Sequence, residues 1–303
     1  MLDFKPLELE HIELLRQFFS TCRCRTCDCT VGGTFMWRDY YNTEFALEDG
    51  ILYLRVEIDG RTAFTAPLGS QGPEAYGKIL EYCAENGITP EFCMVSEPRL
   101  PELEGILPGY EAWSDRTWSD YLYAAEDLRE MAGRKYSAQR NHINKFMREN
   151  PDWSFETVGP ENLAEARSFL SEYVGEHTKD SETLVEGDRK ALEILDNFDI
   201  YGLPAGILRA GGKVIGISIG EIVGDTLFIH TEKSEKELAG SYQMLVREFA
   251  RAFAGDGVEF INREEDDGDE GLRKSKLSYH PVRLLAKYAV RPAEGAPGGE
   301  AQG

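Results

Sequence analysis

The stretch "VIGISIGEIVGDTLFIHTEKSEKELAGSYQMLVREF", residues 214–249, decides how this chain folds. Its first half is apolar and β-branched and breaks at Gly224 and Asp225, which predicts two strands joined by a hairpin. Its second half passes through Gly240 into a segment with helical patterning. Upstream, "AGILRAGG" at 205–212 predicts a further strand that turns at Gly211 and Gly212. Downstream, "VEFINRE" at 258–264 reads as a strand, "DEGLRKSKLSY" at 269–279 as a short helix, and "VRLLAKYAV" at 282–290 as a last strand.

The same element order occurs once before. A helical pattern on Leu9, Ile12, Leu15 and Phe19 is followed by the short amphipathic piece "GTFMWRDYY" at 33–41. Then "FALEDGILYLRVEIDGRTAFTAPLG" at 45–69 carries hairpin signals at Asp49-Gly50 and Asp59-Gly60. A helix at 73–87 and a strand at 89–98 complete the set. Between the halves lies a predicted helix, "RKYSAQRNHINKFMREN" at 134–150, stopped by Pro151, with two more around Leu163–Val174 and Lys190–Phe198. We therefore expect an α/β (α+β) chain of two domains, 1–130 and 131–292, with a disordered Gly, Ala and Pro-rich tail at 293–303.

At 303 residues the chain is comfortable for two cores, and 42% hydrophobic with 29% charged residues is ordinary for a globular protein. The net charge of -21 works against non-specific attraction to nucleic acid or anionic lipid, so a polyanion needs a local basic patch. No signal peptide pattern and no long apolar run is evident, which reads as cytoplasmic. Cys22, Cys24, Cys27 and Cys29 crowd into "CRCRTCDC". Thiolates at that density suit zinc or a soft metal, but zinc sites usually separate two ligand pairs, so we expect a cysteine-rich loop and assign no metal ligands.

Basic residues do cluster. Arg134, Lys135, Arg140, Lys145 and Arg148 occupy fifteen residues without an acid, and Arg273 to Arg291 holds six more cations, again without an acid. On a helix, Arg134, Asn141, Lys145 and Arg148 form one stripe while Tyr136, Ile143 and Met147 form another. Arg140 falls in the apolar stripe, where a guanidinium needs a carboxylate partner or a pocket.

The passage from His230 through Gly240, Ser241, Tyr242 and Gln243 is a strand, a turn and a helix, the place where acetyl-CoA N-acyltransferases bind donor pyrophosphate on backbone N–H groups. Glu237 and Tyr242 stand where that turn normally has a polar or basic residue and a small one, which weakens an acetyl-CoA donor. On the strand that follows, Asn262 and Glu264 turn one face polar at its C-terminal end, where open α/β sheets commonly bind ligands. Six carboxylates then lie between Glu264 and Glu270. Helix electrostatics accounts for Asp269 and Glu270 ahead of Arg273, Lys274 and Lys276. It leaves Glu264, Glu265, Asp266 and Asp267 in want of water or a cation, or of a cationic substrate. Tyr279 shares a helical face with Lys276, placed to donate a proton to a leaving group.

"RNHINKF" at 140–146, "GSYQ" at 240–243, "INREEDDGDEGLRKSKLSYHP" at 261–281 and "FMWRDYY" at 35–41 together resemble the C-terminal domain family of bacterial phosphatidylglycerol lysyltransferase, in its branch without the membrane portion. The resemblance implies two tandem acyl-CoA N-acyltransferase-like (GNAT-like) domains, similar to the Fem peptidyltransferases, each a mixed, mostly antiparallel sheet flanked by helices. It also implies an aminoacyl transferase that draws on aminoacyl-tRNA; the alternatives are a CoA-dependent N-acetyltransferase of a cationic amine, with acetyl-CoA as donor, which the acidic cluster would suit, and a non-catalytic ligand-binding member of the fold. On that resemblance Glu264, Lys276 and Tyr279 would lie near the transferred ester. Arg140, Asn141, His142, Lys145, Asn262, Arg263, Asp267, Arg273 and Lys274 would bind substrate, tRNA phosphates among them. His230 with residues 240–243 would form the donor loop.

Overall fold

A computed structural model describes residues 1–69, 72–107, 109–176 and 182–293. The chain divides into two compact units, one of Met1–Asp120 joined by the chain from Leu285, the other of Tyr121–Leu284. The first contains strands β1 (Lys5–Pro6), β2 (Glu44–Glu48), β3 (Ile51–Ile58), β4 (Arg61–Phe64), β5 (Phe92–Ser96) and β6 (Glu111–Trp113). The second is built on β7 (Asp120–Ala124), β8 (Ser154–Thr157), β9 (Ala205–Ala210), β10 (Lys213–Val223), β11 (Thr226–Ser234), β12 (Phe260–Asn262) and β13 (Arg283–Leu285). The last strand, β14 (Lys287–Arg291), returns to the first sheet. The sheet orders are β1-β2-β3-β4-β5-β14-β6 and β13-β7-β12-β11-β10-β9-β8.

Each sheet is mixed: β4 pairs in parallel with β5 in the first and β11 with β12 in the second, among antiparallel neighbours. The hairpins fall where the sequence puts them. Asp49-Gly50 and Asp59-Gly60 both take left-handed backbone, the conformation that matches the twist of the flanking strands.

Helices α1 (Ile12–Phe19), α2 (Val31–Met36), α3 (Pro73–Asn86) and α4 (Leu100–Glu104) accompany the first sheet. The second has α5 (Ala125–Glu130), α6 (Ser137–Glu149), α7 (Leu163–Glu176), α8 (Glu182–Asp196), α9 (Phe198–Tyr201), α10 (Ser241–Phe253) and α11 (Glu270–Leu277). Tyr76, Ile79, Phe92, Val95 and Val290 centre the first core. In the second core, Ile143 and Phe146 of α6 meet Met244, Leu245 and Phe249 of α10, beside Tyr121, Tyr123 and Ile261. The apolar stripe read on α6 is thus its buried face.

The division differs from the sequence-based one twice: the first unit runs to Asp120 rather than to 130, and it takes back the chain from Leu285. "VRLLAKYAV" is two strands, not one, because the chain leaves the second sheet after Leu285 and enters the first at Lys287. Both halves of the run are apolar enough to be strands, and nothing local tells that the first sheet takes one of them between β5 and β6. The tail lies outside the described residues from 294 onward.

Candidate active site

The parallel pair in the second sheet is short. Thr226 faces Phe260, Leu227 faces Ile261 and Phe228 faces Asn262; there β12 ends while β11 continues to Ser234. The gap beyond Asn262 lies at the carboxyl end of both strands, where α/β sheets place ligands. At the same level the pairing of β10 with β11 slips: Ile219 faces Thr231 but Gly220 faces Ile229, so His230 is an extra residue with no cross-strand partner. Such a bulge re-aims the side chain it carries.

The His230 side chain is fully buried between two carboxylates. Its Nδ1 lies 2.8 Å from Glu264 Oε1, a hydrogen bond. Its Nε2 stands 3.5 Å from Glu221 Oε2, a charge contact rather than a well-formed hydrogen bond. Burial alone pulls the imidazole down, but Glu221 and Glu264 outweigh it and raise it to about 9. At neutral pH both ring nitrogens therefore carry protons, each turned to a carboxylate.

The sign of the consequence follows from linkage. Because the folded value lies above the ordinary 6.5, the stabilisation is complete below about pH 6.5 and disappears as pH rises through about 9. The interval corresponds to on the order of 3 kcal/mol. Chemical denaturation at about pH 6 and about pH 10 is expected to show that loss in the parent protein. His230→Asn should show a shallower decline between the same points, and equal slopes in the two proteins would contradict the clamp.

Glu264 is held from below. Asn262, fully buried at the end of β12, accepts the Glu264 N–H on its side-chain oxygen at 2.6 Å, and Glu264 takes a φ of 55°. This is an Asx-type turn, which tolerates a left-handed residue. Lys276 of α11 supports the same loop, donating to the carbonyls of Arg263 (2.5 Å), Glu264 (3.3 Å) and Glu265 (2.5 Å). Its ammonium has three protons, and all three are directed to backbone. Glu264 Oε2 makes no hydrogen bond among the described residues, and the side chain is 22% exposed.

Around this loop Arg263 and Asp266 are also paired. Arg263 is buried, with Nε and Nη2 on Glu232 Oε2 at 3.0 and 2.6 Å, and its guanidinium lies 4.7 Å from the Tyr279 ring centroid. Burial pushes the Tyr279 phenol up to about 12, although Arg263 opposes that shift. Asp266, fully buried, accepts Arg273 Nε and Nη2 at 2.9 Å each and the Tyr121 hydroxyl at 2.5 Å. Arg273 first, then Tyr121 and the Gly268 N–H, hold its carboxyl well below the usual carboxylate range. Asp269 caps α11 through the Leu272 N–H at 2.6 Å. Within the acidic run, then, Glu264 and Asp266 are paired with His230 and Arg273 and Asp269 caps α11, while Asp267 stays exposed, its carboxyl raised by partial burial and by the neighbouring charges of Glu265 and Asp266.

Other expected site residues have different duties. Arg140 has no carboxylate partner among the described residues; its Nη1 donates to the Met131 and Gly133 carbonyls at 2.5 and 2.6 Å, closing the end of α5 where Met131 turns left-handed. Asn141, His142 and Lys145 lie exposed on α6, and Lys274 and Asp267 are exposed as well. Lys145 reaches Glu149 at 4.0 Å, while Arg134 and Arg148 make no ion pair among the described residues. Gly240 has a φ of 91° and packs so closely on α6 that a methyl group there would strike the His142 carbonyl. Ser241 Oγ donates to the Glu235 carbonyl at 2.7 Å, and the Tyr242 hydroxyl lies 3.0 Å from that of Tyr173. Of the donor loop, then, His230 joins Glu264, while the glycine turn is committed to helix packing.

Sequence reading missed Glu221 and Glu232. Each is an acid inside a strand, and Glu221 is the one charged residue in the largely apolar run "IGISIGEIV" on the interior strand β10. That interruption was the available signal, since a buried acid requires a partner.

A family model described as "Phosphatidylglycerol lysyltransferase, C-terminal" matches residues 21–291. An uncharacterised protein of Mycoplasmoides gallisepticum is 22% identical over 175 residues, and the chain spans 56% of the length of that curated relative. Among solved structures, a conserved protein of unknown function from Bacteroides thetaiotaomicron is 31% identical, with a TM-score of 0.90 over 96% of this chain and 100% of that one. The C-terminal domain of a putative lysylphosphatidylglycerol synthetase from Agrobacterium fabrum is 15% identical, with a TM-score of 0.70 over 94% and 92% of the two chains. FemX is 9% identical, with a TM-score of 0.60 over 95% of this chain and 97% of that one. At these last identities the likeness is one of fold: two tandem N-acyltransferase-like α/β units. No helix among the described residues is long and apolar enough to cross a membrane.

Proposed function

The chain belongs to the phosphatidylglycerol lysyltransferase C-terminal family, and from that premise we propose that it transfers an aminoacyl group from aminoacyl-tRNA to an acceptor hydroxyl or amine. The observation that carries this reading is the Glu221, His230 and Glu264 clamp at the parting of β11 and β12, in which one carboxylate oxygen, Glu264 Oε2, is left for chemistry. In this reading Oε2 takes the proton of the acceptor as its oxygen or nitrogen attacks the ester carbonyl. The new carbon–heteroatom bond forms, the bond to the tRNA ribose oxygen breaks, and that oxygen leaves with a proton, for which Tyr279 is the candidate donor. The bulge at His230, where the backbone ladder is interrupted, is the candidate position for the oxyanion. Lys276 acts as a positioning residue, because its three protons hold the loop that presents Glu264.

The donor is argued from two sides. The close backbone approach that a pyrophosphate would need at Gly240 is taken by the His142 carbonyl, which speaks against CoA. The exposed cations of α6 supply the local positive surface that a strongly acidic protein needs to meet a polyanion. Incubation with tRNA charged with radiolabelled lysine, then with other amino acids, is expected to move label to an acid-soluble or lipid-extractable acceptor. Binding of charged tRNA should weaken steeply with salt, and neutralising Arg134, Lys145 and Arg148 together should lower the slope of log affinity against log salt by about 3. Thermal stabilisation by acetyl-CoA together with no binding of charged tRNA would overturn the donor assignment.

A further inference from the structure

The cysteine-rich segment of the first unit does not form a loose loop. Cys22 Sγ lies 3.3 Å from Cys24 Sγ, and Cys24 Sγ lies 3.2 Å from Cys29 Sγ, with all three sulfurs within 4.8 Å of one another. None of the three is in a disulfide. We propose that Cys22, Cys24 and Cys29 form a three-thiolate site for a thiophilic d10 cation, with Zn²⁺ the representative ion.

The geometry suits such an ion. Metal–sulfur bonds of about 2.3 Å in a tetrahedral site put the sulfurs about 3.8 Å apart, so each observed edge needs to open by only about half an ångström. Sequence spacing alone argued against a site, because zinc centres usually draw two separated ligand pairs. The structure removes that objection by asking for three ligands, not four. Cys27, the fourth, is turned to other work: its N–H donates to Asp120 Oδ2 at 2.8 Å, and its sulfur accepts from Lys287 Nζ at 3.2 Å. Lys287 in turn lies 2.9 Å from Asp120 Oδ1.

Three protein ligands leave one coordination position, and here it faces a pocket. Besides the three cysteines, that pocket is lined by apolar side chains, Met94 among them, and by the polar Asp28, Thr65, Ser96 and Arg99. Thiolates select soft cations over hard, oxygen-seeking ones, and the Met94 thioether on the pocket wall adds another soft group. Three thiolates around a divalent ion carry one net negative charge, which the Arg99 guanidinium stands beside. On binding, each thiol gives its proton to solvent as its sulfur–metal bond forms, so metal uptake releases protons. The open position follows the pattern of sites that exchange a ligand or pass on an ion, rather than of closed structural sites.

The test uses the full chain, stripped with chelator under reductant and titrated with Cd²⁺ as an optical probe, with Zn²⁺ as competitor. The expected result is one ion per chain, with thiolate-to-metal charge-transfer absorption that Zn²⁺ displaces. The combined change Cys22→Ser, Cys24→Ser and Cys29→Ser should abolish it, and Cys24→Ser alone should weaken it by about 100-fold or more. Cys27→Ser should leave it intact. Far-UV circular dichroism and unchanged protection of the buried Cys83 and Cys93 from alkylation establish that each variant is folded. Reduced parent protein that takes up neither ion, or a folded triple variant that still does, overturns the site. Neither readout involves transfer activity, so the result is independent of the function proposed above.

Discussion

Glu264→Gln is expected to lower aminoacyl transfer by about 10²- to 10⁴-fold, the usual cost of removing a positioned general base. The change keeps the shape of the side chain and its hydrogen bond to His230 Nδ1, so the loop held by Asn262 and Lys276 should stay in place. What it removes is the oxygen able to accept a proton. Initial rates at saturating acceptor, together with charged-tRNA affinity, separate the two roles of the site: the rate should collapse while affinity stays within about twofold. Equal loss of both would mean that Glu264 binds the donor instead of acting on the acceptor. His230→Asn serves as the companion variant, since it takes away the cation that orients Glu264 without touching the reacting oxygen. Its activity should fall less than that of Glu264→Gln and should lose any inflection near pH 9. If Glu264→Gln transfers at the parent rate, the catalytic assignment fails.

The largest stability effect is expected at Glu232. Its carboxylate is the ion-pair partner of Arg263, a guanidinium that is 6% exposed. Glu232→Gln removes the charge and leaves the cation stranded in the interior, which typically costs about 3–5 kcal/mol. Removing both partners is a different experiment. Arg263→Met with Glu232→Leu takes away two desolvated charges at once and should restore much of the loss, because the attraction between buried ions only about offsets their desolvation. Urea denaturation of the single and double variants measures the difference directly. A Glu232→Gln protein as stable as the parent would mean that Arg263 finds water or another anion, contrary to its burial.

Much of this architecture is legible in the residues. The glycine and aspartate pairs at 49–50 and 59–60 mark hairpins because few other residues adopt left-handed backbone, and the runs between them are β-branched. The buried side of the segment around α6 is partly readable because a helix repeats every 3.6 residues: of the stripe Tyr136, Ile143 and Met147, the first two are buried and Met147 is partly so, while Phe146 joins the core unread. The loop from Glu264 to Lys276 was also conspicuous, since six carboxylates followed by three cations is a costly arrangement that asks for partners. The partners were the part that could not be read. Glu264 meets His230 across 34 positions, Asp266 meets Tyr121 across 145, and Lys287 meets Cys27 across 260.

Local patterning therefore determined the elements, their order, the family and the stretch at 261–281 where charge had to be resolved. Tertiary structure decided which sheet takes the last strand, which acid clamps His230, that Lys276 serves the backbone rather than a substrate, and that three of four clustered cysteines converge. The physical reason is the range of the forces involved. Helix and turn preferences act over a few residues and leave a mark in the sequence, whereas the pairing of buried charges and the gathering of thiols depend on which strands become neighbours, and that is set only when the whole core closes.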